Sequence, residues 1–313
     1  MPPIKEAAAI LRRGGLVAFP TETVYGLGAD ASNPAAVARI YRVKGRPSAH
    51  PVIVHIADAG QLRKWAREIP EHAARLAARF WPGPLTLVLQ RAPGVGDQLT
   101  GGQDTIGLRV PGHPVALALL REFGGGIAAP SANRFGRISP TSAEHVLSDL
   151  NGDVDLILDG GPCEIGIEST IVDLSRGSPV VLRPGRIGEQ DLAETLGVES
   201  SPPDSAAPRA PGALQSHYAP RHPLRLLGAR DWAMRGEGGS VRRAVMSFHA
   251  RPAGDASSIW IEASRDPQRY AHDLYANLRA LDSSGCEEIL VEEPPGSPAW
   301  AAIRDRLSRA RSG

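Results

Sequence analysis

The 313-residue chain holds only two cysteines, Cys163 and Cys286, with no CxxC pair. That excludes a disulfide framework and a thiolate zinc cluster. It lacks an excess of either charge: Lys plus Arg is 35, Asp plus Glu is 34, and the formal net charge is +1. A protein that holds nucleic acid mainly by its backbone shows a basic surplus, so only a local basic patch is left for that role. No apolar run exceeds strand length, so nothing in the sequence spans a bilayer. The opening MPPIKEAAAILRRGG lacks the basic-then-apolar order of a secretory signal, and a cytoplasmic protein is expected. The common catalytic signatures are missing too. There is no GxxxxGK[ST], no GxGxxG after a strand, no HExxH and no GxSxG. The nine histidines show no metal-ligand spacing.

What is present is a globular composition, 42% hydrophobic and 22% charged, with 34 glycines and 28 prolines that imply many tight turns. Residues 4–13 form an amphipathic pattern closed by Gly14-Gly15. Asn33-Pro34 is a good helix start, cap then first-turn proline, and the helix should run to about Val43. A helix over 70–80 is stopped by Trp81-Pro82-Gly83-Pro84, and Thr141-Ser142-Ala143-Glu144 has capping-box spacing. Strands are expected at 16–19, 52–56, 85–89, 106–110, 154–158, 170–174 and 180–182. Residues 199–212, ESSPPDSAAPRAPG, have no periodicity and make a linker. After it a β–α–β–α pattern resumes, with strands near 224–227, 244–248, 259–261 and 289–291. Tyr270, Leu274, Leu278 and Leu281 mark one helix face, and Trp300, Ile303 and Leu307 another. The expected organisation is an α/β domain over 1–197, a Pro-rich linker over 198–222 and a smaller α/β domain over 223–313.

Five constellations could carry chemistry. Pro20-Thr21-Glu22-Thr23-Val24-Tyr25-Gly26 follows a buried strand, where open α/β sheets bind ligands; it is equally a polar Ser/Thr-type turn. Lys44-Gly45-Arg46-Pro47, with His50 and His55 after it, pairs a point charge with a bidentate fork, as phosphate sites do; cations also suit a solvated helix C-terminus. Pro130-Ser131-Ala132-Asn133 follows a strand-like pair. Glu168-Ser169-Thr170 leads into a strand, and Arg183-Pro184-Gly185 closes the next. Arg109 lies among apolar strand neighbours and needs a partner, either a bound carboxylate or an internal Glu. Past the linker, His217-Tyr218-Ala219-Pro220 is a lid or a simple docking segment.

In this order, FPTETVYGLG, KGRP with PVIVH, WPGPLT, Arg109-Val110-Pro111, PSAN, and EST with RPG resemble the YrdC-like family over about residues 4–222. The linker ending in SHYAP and the second domain are similar to its long, two-domain form. The resemblance implies a twisted open mixed sheet with helices, plus a smaller Rossmann-like domain. It implies synthesis of threonylcarbamoyl-adenylate and pyrophosphate from L-threonine, bicarbonate and ATP, with Mg2+ accompanying the triphosphate. The product serves the threonylcarbamoyladenosine modification of tRNA, through a downstream transfer machinery. By the same resemblance Thr23, His55, Arg109 and Ser169 contact threonine. Lys44, Arg46, His50, Thr105, Ser131, Asn133, Ser139, Arg183, His217 and Tyr218 serve the nucleotide, with Lys44 and Arg46 catalytic. Two positions depart from the family pattern: His50 stands where an Asn is common, and Ala213-Leu214 where Met-Lys is common. Related carbamoyl-transfer proteins of hydrogenase maturation carry acylphosphatase and zinc-finger regions, which this chain lacks. The alternative from another class is an RNA-binding module without chemistry, resting on Arg42, Lys44 and Arg46. It is opposed by the balanced charge and the lack of an aromatic RNA-reading motif.

Overall fold

The computed structural model describes residues 3–212, 217–233 and 241–311. The Ala213-Leu214 departure lies outside them. Among the described residues no helix is long and apolar enough to cross a membrane. They group into two units, one of residues 3–135 and 140–212, the other of 136–139, 217–233 and 241–311.

The first unit is built on nine strands: β1 Val17–Phe19, β2 Gly26–Asp30, β3 Ile53–His55, β4 Leu85–Gln90, β5 Thr105–Arg109, β6 Ile127–Ala128, β7 Leu156–Ile157, β8 Thr170–Asp173 and β9 Val180–Arg183. They form one mixed sheet in the order β7-β1-β2-β6-β3-β5-β4-β8-β9. The pairs β1–β7, β3–β5 and β4–β8 are parallel; the rest are antiparallel. Side chains alternate between faces along each strand, and the core divides accordingly. Ala18, Val54, Leu87, Leu89, Leu108 and Val172 point to one face, packed with residues of the helices Pro34–Lys44, Glu71–Phe80, Ala143–Leu150 and Glu189–Leu196. On the other face, Val17, Phe19 and Ile127 pack with the helices Ile4–Arg12 and Pro114–Phe123. Further along that second face lies a separate cluster of Ile53, Val88, Ile171, Val180 and Leu182. Its other members are Ala210 and, at its margin, Ala207, both from the Pro-rich segment.

Local chemistry explains several elements. Asn33 caps its helix by accepting from the Ala35 and Ala36 N–H groups, and the helix ends at Gly45, whose φ of 63° is left-handed. β2 differs from expectation, because GLGAD contains two glycines and does not look like a strand. Gly28 is required there: a Cβ would sit 2.8 Å from Phe19 Cε1 and 2.9 Å from Ile127 Cγ2. The helix Pro114–Phe123 was not foreseen either; its cap is His113, whose Nδ1 accepts from Val115 N. The expected capping box does not form: the N-cap is Ser142, whose Oγ accepts from the His145 N–H, while Thr141 meets the His145 ring.

The second unit carries β10 Leu224–Leu227, β11 Arg243–Ser247, β12 Ile259–Glu262 and β13 Glu288–Glu292. They form an all-parallel sheet in the order β10-β13-β11-β12. The helix Pro267–Asp282 connects β12 to β13 and buries Tyr270, Leu274, Leu278 and Leu281, the expected face. The observed architecture is thus the mixed open sheet and the smaller Rossmann-like α/β domain that the motifs implied.

Candidate active site

The sheet face that carries the Ile53 cluster also gathers polar side chains. His55 on β3 pairs in register with Arg109 on β5. Thr105 and Gly107 share the Arg109 face, four and two residues back along β5. Gly107 stands between Ile53 and Val88 on the flanking strands. A Cβ there would lie at ordinary contact distance, 3.5 Å from Thr86 Cγ2 and 3.6 Å from Ile53 Cγ1, so its absence leaves a shallow hollow about one methyl deep in the floor. The face of β5 that flanks this hollow runs from Arg109 to Thr105, about 13 Å at the usual rise per residue.

At the Arg109 end nearly everything is buried. Arg109 is 4% exposed and meets an internal acid: Nη2 donates to Glu22 Oε1 at 2.6 Å, and Nε donates to Gly83 O at 3.2 Å. Of the two partners left open for Arg109, the structure supplies the internal Glu. The Trp81–Pro84 turn thus serves Arg109 through the Gly83 carbonyl. Burial first, and Arg109 second, push the His55 imidazole down to about 3, so the ring is neutral at physiological pH. It stands edge-on to Phe19, with no hydrogen-bond partner for Nδ1 among the described residues.

The hydroxyls are ordered by their neighbours. Thr21 Oγ1 donates to Val24 O at 2.6 Å, so the 2.8 Å contact with Thr23 Oγ1 uses the Thr23 proton. Thr23 is left with lone pairs to offer. Ser169 Oγ lies 2.8 Å from Thr86 Oγ1 and accepts from Arg183 Nη2 at 3.1 Å. Arg183 also donates to Ser169 O and, through Nη1, to Pro211 O of the Pro-rich segment.

The Thr105 end is cationic. Lys44 is buried at the helix C-terminus, its Nζ 2.6 Å from Ser131 O, 2.5 Å from Asn133 O and 3.4 Å from Asn133 Oδ1. It therefore ties the PSAN turn to the KGR turn, and its proton donors are taken up there. Burial and then Arg46 push its amine well down. Arg46 Nη2 donates to Pro51 O at 2.9 Å, and its guanidinium lies 5.4 Å from the Phe135 ring centroid. The His50 ring also faces Phe135, at 5.5 Å. Burial, then Arg46 and Arg209, lower the His50 pKa, which disfavours the charged form of this ring.

The structure thus brings Thr23, His55, Arg109, Ser169 and Arg183 to one end and Lys44, Arg46, His50, Ser131 and Asn133 around two linked turns. Thr105 is half-buried at the start of β5. Ser139, His217 and Tyr218 group with the second unit. There Ser139 is fully buried, and Tyr218 has a left-handed φ of 64° and stacks on Tyr275 at 5.6 Å. His217 meets the Tyr218 ring edge-on at 4.2 Å. Sequence reasoning gave no role to Glu22, Thr86, Gly107 or Phe135. Glu22 and Thr86 lay inside quoted motifs, but only the fold reveals their partners. Among the described residues no group of three or more His, Cys, Asp and Glu side chains could hold a metal ion.

Residues 9–185 match a family model described as telomere recombination, covering Sua5, YciO and YrdC proteins. Residues 187–312 match the model of the threonylcarbamoyl-AMP synthase C-terminal domain. A threonylcarbamoyl-AMP synthase of Bacillus subtilis is 42% identical, spanning 100% of this chain and 94% of that protein. One of Pyrococcus abyssi is 40% identical over 98% and 93% of the two. The crystal structure of P. abyssi Sua5 complexed with L-threonine is similar with a TM-score of 0.89 at 38% identity, covering 99% of this chain and 94% of that one. By full-length similarity and by both domain models, the chain belongs to the threonylcarbamoyl-AMP synthase family, in its two-domain form.

Proposed function

We propose that this enzyme joins L-threonine, bicarbonate and ATP into threonylcarbamoyl-AMP, releasing pyrophosphate, to supply threonylcarbamoyladenosine next to the tRNA anticodon. One observation carries the assignment of the site: a hollow opened by Gly107 with a buried guanidinium and hydroxyls at one end and cationic turns at the other. The threonine carboxylate meets Arg109, and its hydroxyl and amine meet Thr23, Ser169 and His55. The triphosphate lies toward Arg46, His50, Ser131, Asn133 and Thr105. Lys44 holds the PSAN turn in place, and Arg183 fixes Ser169.

In this scheme the threonine nitrogen first attacks the carbon of bicarbonate: an N–C bond forms, a C–O bond breaks, and water leaves to give the carbamate. A carbamate oxygen then attacks the α-phosphorus, a P–O bond forms, and the bond to the β-phosphate breaks as pyrophosphate leaves. Such a step needs positioning and charge neutralisation more than a nucleophile and base. Magnesium fits as the counter-ion of the triphosphate rather than as a resident of a protein carboxylate cluster. Residues 201–212 cover the site as part of its wall: Ala210 packs on the Ile53 cluster, and Arg209 exchanges hydrogen bonds with Gln103. The enzyme works in the cytoplasm, where its tRNA and the transfer machinery are found. An RNA-binding module without chemistry is not favoured, since the full-length relatives are named as synthases.

The test is pyrophosphate release from ATP, bicarbonate and an amino acid without RNA. Serine lacks a methyl, worth roughly 10- to 200-fold, whereas valine leaves buried hydroxyl partners unpaired and should lose on the order of 10⁴. The expected order is threonine, serine, then valine nearly inactive. Valine turning over faster than serine would show selection by volume alone.

A further inference from the structure

Arg109 has five N–H donors in a planar fork. Nε is spent on Gly83 O and one Nη2 proton on Glu22 Oε1. Both lie on the side edge of the guanidinium. Nη1 makes no hydrogen bond among the described residues, so the end-on edge, Nη1 with the second Nη2 proton, is left over. That edge has the shape to take a carboxylate through two parallel bonds.

What aims this edge is Glu22. Its backbone carbonyl accepts from Ile165 N at 2.8 Å, and its Oε2 accepts from Gly112 N at 2.8 Å. A Cβ on residue 112 would stand 3.4 Å from Glu22 Cδ, so the glycine lets the carboxyl lie close against the backbone. Oε1 takes the guanidinium. Both carboxyl oxygens therefore accept, from two donors on opposite sides. A glutamine has one acceptor and one NH2, and would turn a donor toward either the Gly112 N–H or Arg109. Burial removes water as a substitute, because Glu22 is 6% exposed.

We infer that Glu22 is a positioning residue that sets recognition of the substrate carboxylate by holding the end-on edge of Arg109 toward the hollow. The ion pair is itself neutral. Arg109 therefore reads a carboxylate through aimed hydrogen bonds rather than as a diffuse positive charge. This rests on the assignment of the hollow to threonine.

The experiment compares L-threonine with L-threonine amide by calorimetry on the full chain. It uses wild type, Glu22→Gln, Glu22→Asp and Arg109→Ala, with a nonhydrolysable ATP analogue titrated into each as a control. Wild type should prefer the acid. Glu22→Gln should reduce that preference about ten- to a hundredfold, the worth of an aimed charge-assisted bond, with the analogue bound as before. Weakening of both ligands by the same factor overturns the inference, since a merely structural glutamate would act that way. If Glu22→Gln does not fold, Glu22→Asp decides: it keeps two acceptor oxygens one methylene short, and an undiminished preference in that variant overturns the inference. Arg109→Ala that still prefers the acid sinks the assignment of the hollow and the inference with it.

Discussion

At the residue scale, His55 couples the site to acid stability. Its imidazole is held near 3 in the fold against 6.5 for a free ring. Between those values the folded state binds fewer protons than the unfolded one. The contribution is complete above pH 6.5 and is lost as pH falls toward 3. From pH 7 to pH 5 wild type should lose about 2 kcal/mol more than His55→Asn, from roughly 1.5 pH units below the free value. Urea denaturation at the two pH values measures this, and equal losses remove the coupling. Burial, with Glu22 adding, likewise pushes the Cys163 thiol up to about 12, which disfavours its thiolate.

At the element scale, the turn after β9 fixes Ser169. A Cβ on Gly185 would lie 2.4 Å from Thr170 N and 2.7 Å from Ser169 C, backbone atoms that cannot swing aside. Gly185→Ala should destabilise the chain by roughly 1–3 kcal/mol and displace Ser169. A denaturation midpoint equal to wild type contradicts that packing. Elements whose ends are set by neighbouring residues were legible in the sequence. Asn33-Pro34 and Gly45 bracket their helix by local chemistry alone. β2 was not legible, because its glycines answer to Phe19 and Ile127 on flanking strands. Arg109 shows the same limit within the site. Its need for a partner was plain from its apolar neighbours, but Glu22 lies 87 residues away in the chain. Only the fold, which brings the loop after β1 to the end of β5, shows that pairing.

At the scale of the molecule, the Pro-rich segment is part of the first unit up to residue 212. Ser201 bridges to Val180, Asp204 pairs with Arg176 at 2.8 Å, and Arg209 Nη2 donates to Gly101 O at 2.8 Å. Cutting the chain near Pro208 should leave a cooperatively melting first unit with reduced pyrophosphate release, because the Arg209, Ala210 and Pro211 contacts go with the cut. Full activity in that fragment would make the segment dispensable. The amphipathic patterns showed where each unit begins its α/β repeat. The lack of periodicity in the segment hid its attachments, which are backbone carbonyls and single side chains rather than a repeating face.

The stitching along residues 201–212 bears on the lifetime of the product. Threonylcarbamoyl-AMP is a mixed anhydride that water destroys, so a site open to solvent would lose it between release and use. A wall fastened at Ser201, Asp204, Arg209 and Pro211 is expected to loosen before the adenylate leaves. Departure, rather than bond formation, then sets the pace, as in many enzymes whose loops must open. Rapid mixing should show a burst of pyrophosphate close to one per chain before the slower steady rate. Linear release from the first turnover would mean that the adenylate leaves as fast as it forms and meets the water outside.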